Sequence, residues 1–292
     1  MKRFTIYTYE FKPIQEPDLN LFEEEVKWEE SIANKQRIFG RFFESGSVLK
    51  FTRNNNQVFE HLVVAQSDGI VVLRIANNSH LTHEKNFKQW DEDDNPSLFV
   101  IIDNRKDKQI IAIENRTQAF SDTGVVARLM QDSFNRLLFH DRLELQIDAK
   151  FHVHEFWDVE ASCERGVACV KFKFPFPNMP QITNLVEQIY KQAAESMNGE
   201  PITIMQARPK ERLRLEKDNE LLASMIQAAS ASGKLIMMRP KGQLKWKQIG
   251  TETIVHEELS EQVFEGLEQG ELIPHQWHAI ENFLNRIKTV YA

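Results

Sequence analysis

Five consecutive apolar residues lie between two polar ones in the run Ser97-Leu98-Phe99-Val100-Ile101-Ile102-Asp103. An uninterrupted apolar strand is stable only when both of its faces are covered, so this run predicts a central, fully buried β-strand. Residues 104–108 then supply a turn, and Gln109-Ile110-Ile111-Ala112-Ile113-Glu114 returns as a second strand. The chain around residue 100 is therefore predicted to form the centre of a sheet.

Further elements are predicted outward from this pair. Alternating apolar residues, with turn residues at 54–56 and 67–69, indicate an antiparallel meander over 48–76. The polar stretch 77–96 is predicted to be an exposed loop. Helices are predicted at 18–44, with Asp18 as the N-cap, and at 122–138, where apolar residues recur on one face. Strands are also predicted at residues 1–10, 143–151 and 168–174.

Pro175, Pro177 and Pro180 punctuate the chain and predict a domain boundary between residues 1–176 and 177–292. The second part is predicted to contain, in order, a helix at 182–197, a strand at 202–207, a helix at 215–232, three short strands within 234–258, and two helices, the last starting at Pro274. The predicted class is α+β, with an N-terminal mixed or antiparallel sheet, flanking helices and a smaller C-terminal α+β domain.

Composition limits the cellular setting. The chain has 292 residues, of which 41% are hydrophobic and 27% charged, as in an ordinary folded protein. No apolar segment follows Lys2 and Arg3, so no signal peptide is predicted, and Leu98–Ile102 is too short to span a membrane. Two cysteines in the whole chain indicate a reducing compartment. We expect a cytoplasmic protein without membrane insertion.

Common phosphate-binding and hydrolase motifs, such as GxGxxG, GxxxxGK[ST], GxSxG and HExxH, do not occur in the sequence. A metal-dependent nuclease is one alternative function, because carboxylates at strand ends can hold divalent cations beside a lysine. Asp103 and Glu114 end two predicted strands, and alternation puts Asp148 and Lys150 on one face of a third. These four residues are the candidate catalytic set. Strand-edge charges that oppose aggregation are the other interpretation.

A metal site is a second candidate, because zinc accepts imidazole and thiolate ligands. His152 and His154 alternate onto one face of a predicted strand, and Cys163 and Cys169 follow. Paired C-x-x-C ligands are missing, however, and buried cysteines commonly serve as small apolar residues. The acidic run 91–94 lacks the spaced ligands and glycine turn of a calcium loop. We therefore predict no bound metal and no cofactor.

Charge is segregated along the chain, although the net charge is -7. Residues 208–247 hold ten basic and four acidic side chains, whereas residues 252–281 hold eight acidic side chains and no Lys or Arg. Cations that neutralise phosphates, with an aromatic ring to stack on a base, are typical of nucleic-acid binding. The candidate binding residues are Arg239, Lys241, Lys245 and Lys247, with Trp246 between two of the lysines.

An amphipathic strand explains the same stretch without any ligand. In that interpretation Lys245 and Lys247 form a solvated face, and Leu244 and Trp246 belong to the core. The acidic segment then neutralises the basic one within the fold. A basic stretch in an otherwise acidic protein still favours nucleic-acid contact.

Two parts of the sequence resemble a known family. These are Asn95 to Asp103 followed by Gln109 to Thr117, and the ending, with a basic hairpin around residues 244–249, an acidic helix and a terminal helix. They resemble bacterial anti-phage defence proteins of the KwaB type, from the Kiwa system, and more loosely the phage exclusion protein RexA. The resemblance concerns strand order and length over most of the chain and rests on no catalytic motif. It implies a cytoplasmic homo-oligomer that binds DNA in defence, together with a second defence-system or phage protein.

Three functions follow as hypotheses. The first is a non-catalytic DNA-binding component of an anti-phage defence system. The second is a metal-dependent nuclease that uses Asp103, Glu114, Asp148 and Lys150. The third is a protein-interaction or sensor module whose acidic C-terminal face binds a partner.

Overall fold

The computed structural model describes residues 1–14, 28–53, 57–106, 108–173, 202–231, 233–250, 254–266 and 273–291. Contacts divide the chain into two units. The first comprises Met1–Thr5, Phe11–Ile147 and His256–Leu284, and the second comprises Ile6–Glu10, Asp148–Val255 and Asn285–Ala292. This division differs from the predicted one at 176, and the three boundary prolines lie outside the described residues. Strand pairing explains the return of residues 256–259 to the first unit, because Lys2–Thr5 pair with them.

The protein is an α+β protein. Its strands are β1 (Lys2–Pro13), β2 (Phe51–Thr52), β3 (Val58–Phe59), β4 (His61–Ser67), β5 (Ile70–Ala76), β6 (Ser79–Lys85), β7 (Lys88–Asp94), β8 (Ser97–Asp103), β9 (Ile110–Glu114), β10 (Leu143–Ala149), β11 (Val167–Lys173), β12 (Ile202–Gln206), β13 (Ile236–Pro240), β14 (Lys247–Ile249) and β15 (His256–Leu259). Its helices are α1 (Trp28–Ala33), α2 (Lys35–Gly40), α3 (Thr123–Leu138), α4 (His154–Ala161), α5 (Glu220–Ala231) and α6 (Pro274–Tyr291).

The larger sheet has the strand order β10-β1-β9-β8-β5-β4, and β15 pairs with β1. All seven residues of β8 are buried, and β8 pairs antiparallel with β5 and β9. The prediction of a fully buried central strand is therefore confirmed. The predicted meander is confirmed for the β4–β5 hairpin, whereas β2 and β3 pair with each other in a separate two-stranded sheet.

Aromatic rings fill much of the core in the first unit. The Phe39 ring lies 4.7 Å from the Phe134 ring, measured between centroids, and Phe51 and Phe43 also contact Phe134 in edge-to-face geometry. Such edge-to-face pairs are favoured by the ring quadrupoles. Phe134 belongs to α3, which begins as predicted: the Asp122 side chain accepts a hydrogen bond from the Gly124 N–H at 2.9 Å.

Three local predictions are wrong. The stretch 77–96 is not a loop, because β6 and β7 form an antiparallel hairpin from polar residues, with a tight turn at Asn86 and Phe87, both at positive φ. His154 does not lie on a strand, because it is the first residue of α4. The helix predicted at 215–232 begins only at Glu220. Asp18, the proposed N-cap, and the helix proposed at 182–197 lie outside the described residues.

The second unit contains a four-stranded antiparallel sheet with the order β12-β11-β13-β14. One face of this sheet packs against α4 and α5. The buried cluster at this face includes Phe156 from α4, Ile226 from α5, and Phe172 and Met238 from the strands. We call this the core face and the opposite side the outer face.

The terminal helix α6 begins at Pro274, as predicted, because proline suits the first helical turn. Ile280, Leu284 and Ile287 are buried, and Trp277 is half-buried. Within the described part of the chain, no helix has the length and apolar character needed to cross a membrane.

The buried position of Ile101 predicts a large effect of a charge there. Ile101→Asp is expected to lower the free energy of unfolding by at least about 3 kcal/mol, because it buries an unpaired carboxylate and removes an apolar side chain. Urea denaturation measures the change, and Leu62→Asp, at an exposed position of the same sheet, is the matched control. Equal stability of the two variants would contradict the placement of β8.

Candidate nucleic-acid interface

Alternation along β11 sorts its side chains between the two faces of the four-stranded sheet. Val170 and Phe172 belong to the buried cluster of the core face. Neighbouring residues on a strand point to opposite sides, so Cys169, Lys171 and Lys173 lie on the outer face. The outer face is therefore marked by two lysines separated by one residue.

The strand register extends this assignment across the sheet, because directly opposed residues share a face. Cys169 is opposite both Gln206 and Arg239, whereas Lys171 is opposite Ile204 and Met237. Lys173 is opposite Ile202, and Met237 is opposite Gln248. Together the four strands carry the cations Lys171, Lys173, Arg239 and Lys247 and no Asp or Glu.

Arg239 and Trp246 form a stacked pair in this unit. The guanidinium carbon lies 5.2 Å from the centroid of the Trp246 ring, which is within cation–π range. Trp246 is half-buried, and Leu244 is 92% exposed. The interpretation that placed Leu244 in the core is therefore wrong, because β14 begins only at Lys247 and Leu244 lies in the preceding loop.

Three chain segments meet around Gly166 at one end of the sheet. Their backbone hydrogen bonds run from the Ala207 N–H to Ala168 O (2.8 Å), from the Leu213 N–H to Val167 O (2.8 Å) and from the Lys241 N–H to Gly166 O (2.9 Å). Gly166 has φ +76°, and a Cβ there would lie 2.7 Å from Arg212 Cδ, so this position favours glycine.

These segments carry a group of cations that we call the basic end: Arg165, Arg208, Lys210, Arg212 and Lys241. Four of the five are exposed, and Lys241 is half-buried while its Nζ donates to Lys210 O at 2.6 Å. Glu164 and Glu211 are the acidic residues within the same segments. The local charge is therefore positive in a chain whose net charge is negative.

The structure separates the four residues that the sequence grouped as one patch. Arg239 lies on the outer face, Lys241 belongs to the basic end, and Lys245 is exposed in the loop before β14. Lys247 lies opposite Met238 on the core face, and its Nζ donates to Ser162 Oγ at 2.8 Å. The distribution of charge along the sequence could not reveal this separation, because the side of the sheet on which each residue lies depends on where β14 begins.

Lys171, Lys173 and Arg165 were not recognised from the sequence. The Val170-Lys171-Phe172-Lys173 alternation was a usable signal, because its apolar residues match a core face and its lysines the opposite face. Arg165 had no such signal, since only the backbone bonds around Gly166 bring it beside residues 208–213 and 241.

The nuclease residues of the first unit lie at opposite ends of two paired strands. Asp103 is opposite Ile110, and Glu114 stands four residues further along β9, about 13 Å away at ordinary strand spacing. Asp103 accepts hydrogen bonds from Arg105 Nε (2.8 Å) and its second guanidinium nitrogen (2.5 Å). Glu114 accepts from Lys2 Nζ (2.5 Å) and the Phe99 N–H (2.9 Å). Each carboxylate is held by a local partner, and the two cannot share one metal ion.

The proposed histidine and cysteine ligands do not converge either. Cys163 belongs to the core-face cluster and its thiol donates to Val159 O at 3.2 Å, whereas Cys169 lies on the outer face. Burial raises the pKa of the Cys169 thiol, and the Arg239 charge lowers it in part. The His152 and His154 rings lie 5.2 Å apart. Among the described residues, no three His, Cys, Asp or Glu side chains are grouped to hold a metal ion.

Asp148 belongs to a buried ionic cluster in the second unit. Lys234 Nζ lies 2.7 Å from Asp148 Oδ2 and 2.5 Å from Glu10 Oε1. Burial alone would lower the pKa of Lys234, but the charges of Glu10 and Asp148 outweigh it and raise that pKa. Lys234, which the sequence counted in its basic stretch, is therefore a structural residue with its charge compensated inside the fold.

Lys150 is also buried, with 5% of its surface exposed, and burial lowers its pKa to about 8. The Lys150 backbone forms two hydrogen bonds with neighbouring chain segments: its N–H donates to Ile6 O, and its carbonyl accepts from the Val255 N–H, both at 2.9 Å. A lysine with this pKa is largely protonated at pH 7, so native burial of the ammonium group reduces stability there.

Removal of the Lys234 ammonium group is expected to destabilise the protein strongly. Lys234→Met should lower the free energy of unfolding by about 3 to 5 kcal/mol, because it leaves Glu10 and Asp148 without their shared cation. Lys245→Met, at an exposed lysine of the same unit, is the control. Denaturant melts of both variants at pH 7 measure the difference, and a shift no larger than the control's would contradict the cluster.

Lys150 predicts a distinct pH dependence. Its folded-state pKa of about 8 is below its unfolded value of about 10.4, so the unfolded chain binds more protons between these values. Stability should therefore rise with pH in this window, by at most about 1.4 kcal/mol per pH unit. Lys150→Met should remove this rise and stabilise the protein at pH 7. Unfolding curves between pH 7 and 10 test this, and parallel profiles for the two proteins would contradict it.

No protein-family model, curated protein or solved structure matches this chain. The likeness to KwaB-type defence proteins and to RexA is thus a prediction from the sequence, as is membership of an antiviral system. The side chains of the second unit are the basis for the functional proposal. Its basic end and outer face supply cations, apolar groups and an aromatic ring.

Proposed function

We propose that the chain is a non-catalytic DNA-binding protein that contacts nucleic acid with the basic end and the outer face of the four-stranded sheet. The observation that carries the proposal is the charge of the outer face: it holds Lys171, Lys173 and Arg239, and the strands of this sheet contain no acidic residue. Phosphate groups are the ligands that such surfaces attract most strongly.

Local charge matters more than net charge for this binding. Exposed charges separated by more than a Debye length, about 10 Å at 0.1 M salt, interact weakly. The segments that form the basic end contain five cations and two carboxylates. A phosphate at this surface therefore meets a positive local field.

Binding through these residues is expected to be largely independent of sequence. Lysine and arginine contacts with phosphates set position and affinity but carry no base information. The resemblance to KwaB-type proteins supports placing this binding in cytoplasmic anti-phage defence, with a homo-oligomeric chain and a second defence-system or phage protein as partner. These cellular assignments are part of the proposal.

The two other hypotheses have less support from the geometry. A nuclease needs carboxylates that share a metal ion, and Asp103 and Glu114 lie at opposite ends of adjacent strands. The interaction module relies on the acidic C-terminal segment. In its described part, Glu257 and Glu258 lie on β15, which pairs with β1, and Glu261 forms an ion pair with the N-terminal amine at 3.1 Å.

Charge reversal at three arginines tests the proposed interface. Arg165→Glu, Arg212→Glu and Arg239→Glu together should flatten the slope of log affinity against log salt by about 2 to 3 units on duplex DNA, at about 0.9 per phosphate contact. Affinity at 0.1 M salt should fall at least about tenfold. Fluorescence anisotropy with a labelled duplex, repeated over a salt series, measures both effects.

The matched control reverses three cations elsewhere: Arg128, Lys217 and Lys247. The control changes the net charge by the same amount as the three-arginine variant. A general effect of charge should therefore weaken DNA binding in both variants, whereas an effect of the interface should weaken it only in the three-arginine variant. Circular dichroism establishes that both are folded. Unchanged affinity and slope in the first variant would make the interaction module the better hypothesis. DNA cleavage that requires Mg²⁺ in the parent protein would favour the nuclease.

A further inference from the structure

The outer face combines its cations with exposed apolar groups. Ile204 is 57% exposed and Ile202 is 46% exposed, although both lie on a β-strand. Met237 and Trp246 are half-buried on the same side. Apolar side chains contribute nothing to phosphate binding, so phosphate attraction alone does not explain this surface.

The register interleaves the two kinds of side chain. Lys171 lies between Ile204 on one neighbouring strand and Met237 on the other, and Lys173 lies beside Ile202. Neighbouring strands are about 4.8 Å apart, so each lysine lies next to an apolar group. A ligand that lies across this face meets cations and apolar surface in alternation.

Duplex and single-stranded nucleic acids differ in what they offer to such a surface. A duplex keeps the faces of its bases stacked inside and presents phosphates outward. A single strand presents phosphates together with unstacked bases, which stack on aromatic rings and arginine and also pack against apolar side chains. Only the single strand uses both kinds of side chain on the outer face.

We propose that the outer face binds single-stranded nucleic acid, with phosphates on Lys171, Lys173 and Arg239 and bases against Ile204, Met237 and the Arg239–Trp246 pair. This inference rests on the proposed function and narrows its ligand from DNA in general to unpaired strands. A four-stranded sheet offers room for about two or three stacked bases.

The Arg239–Trp246 pair is suited to hold one of these bases. The guanidinium group already lies over the indole ring, at 5.2 Å from its centroid, so little conformational entropy is lost when a base stacks on it. Gln206 and Gln248 are exposed at opposite sides of the same face and supply hydrogen-bond donors and acceptors for base edges.

The experiment compares fluorescein-labelled dT12, rU12 and a duplex of the same length in a hairpin that keeps it paired, by anisotropy at one salt concentration. The parent protein should bind dT12 or rU12 at least about fivefold more tightly than the duplex. Comparison of dT12 with rU12 shows whether the strand is DNA or RNA, since both carry the proposed chemistry.

Ile202→Thr with Ile204→Thr is the decisive variant. Threonine keeps the β-branched shape and the charge while it removes apolar surface, so the strand should fold. Affinity for the single strand should fall about five- to tenfold and affinity for the duplex should not change. Val58→Thr, at an exposed valine on β3, is the control and should alter neither.

Two outcomes overturn the inference and differ in what they leave standing. If the duplex binds as tightly as dT12 and rU12, or if the double variant binds both single strands like the parent, the outer face is not a single-strand site. The proposed function then survives provided that the three-arginine variant still loses duplex affinity. If the parent binds none of the three probes, both the inference and the proposed function fail.

Discussion

One ammonium group connects parts of the second unit that are distant in sequence. Lys234 Nζ contacts Glu10, from the N-terminal strand, and Asp148, from the end of β10. Gly233 makes this approach possible, because a Cβ at that position would lie 2.6 Å from Asp148 Cβ and its φ of +66° suits glycine. The strand β13 starts two residues after Lys234 and carries Arg239. Placement of the proposed binding face therefore depends on a buried ion pair that never contacts the ligand.

The four-stranded sheet keeps its packing residues on one face and the residues of the proposed binding site on the other. Its core face holds phenylalanine, isoleucine and methionine side chains against α4 and α5, whereas its outer face holds lysine, arginine and exposed isoleucine. Period-two alternation keeps the two sets apart, so substitutions on the outer face leave the core side chains in place. This separation suits a surface whose ligand is bound by charge and stacking, because neither contribution requires residues from the core.

Local sequence patterns, such as a run of apolar residues or a proline at the start of a helix, predicted much of the fold. The apolar run 97–103 was sufficient for β8, apolar residues recurring on one face predicted α3, and a proline marked the start of α6. The β6–β7 hairpin was missed because its strands are polar, and strand pairing between polar segments leaves no periodic signal. The candidate site was only partly predictable. Arg239 and Lys247 looked equivalent in the sequence, and only the strand register shows that they lie on opposite faces. Lys234 was counted in the basic stretch, although two carboxylates distant in sequence neutralise its charge.

The pairing of β1 with β15 also has a consequence for synthesis on the ribosome. Residues 2–5 are translated before their hydrogen-bonding partners at 256–259, which follow about 250 residues later in the chain. At about 5 to 20 residues per second, this part of β1 waits on the order of ten seconds or more with an unpaired edge. Unpaired edges pair readily with other chains, and nascent chains on one polysome are close together. A cell that makes this protein therefore has reason to shield β1 with a chaperone until residues 256–259 have left the ribosome.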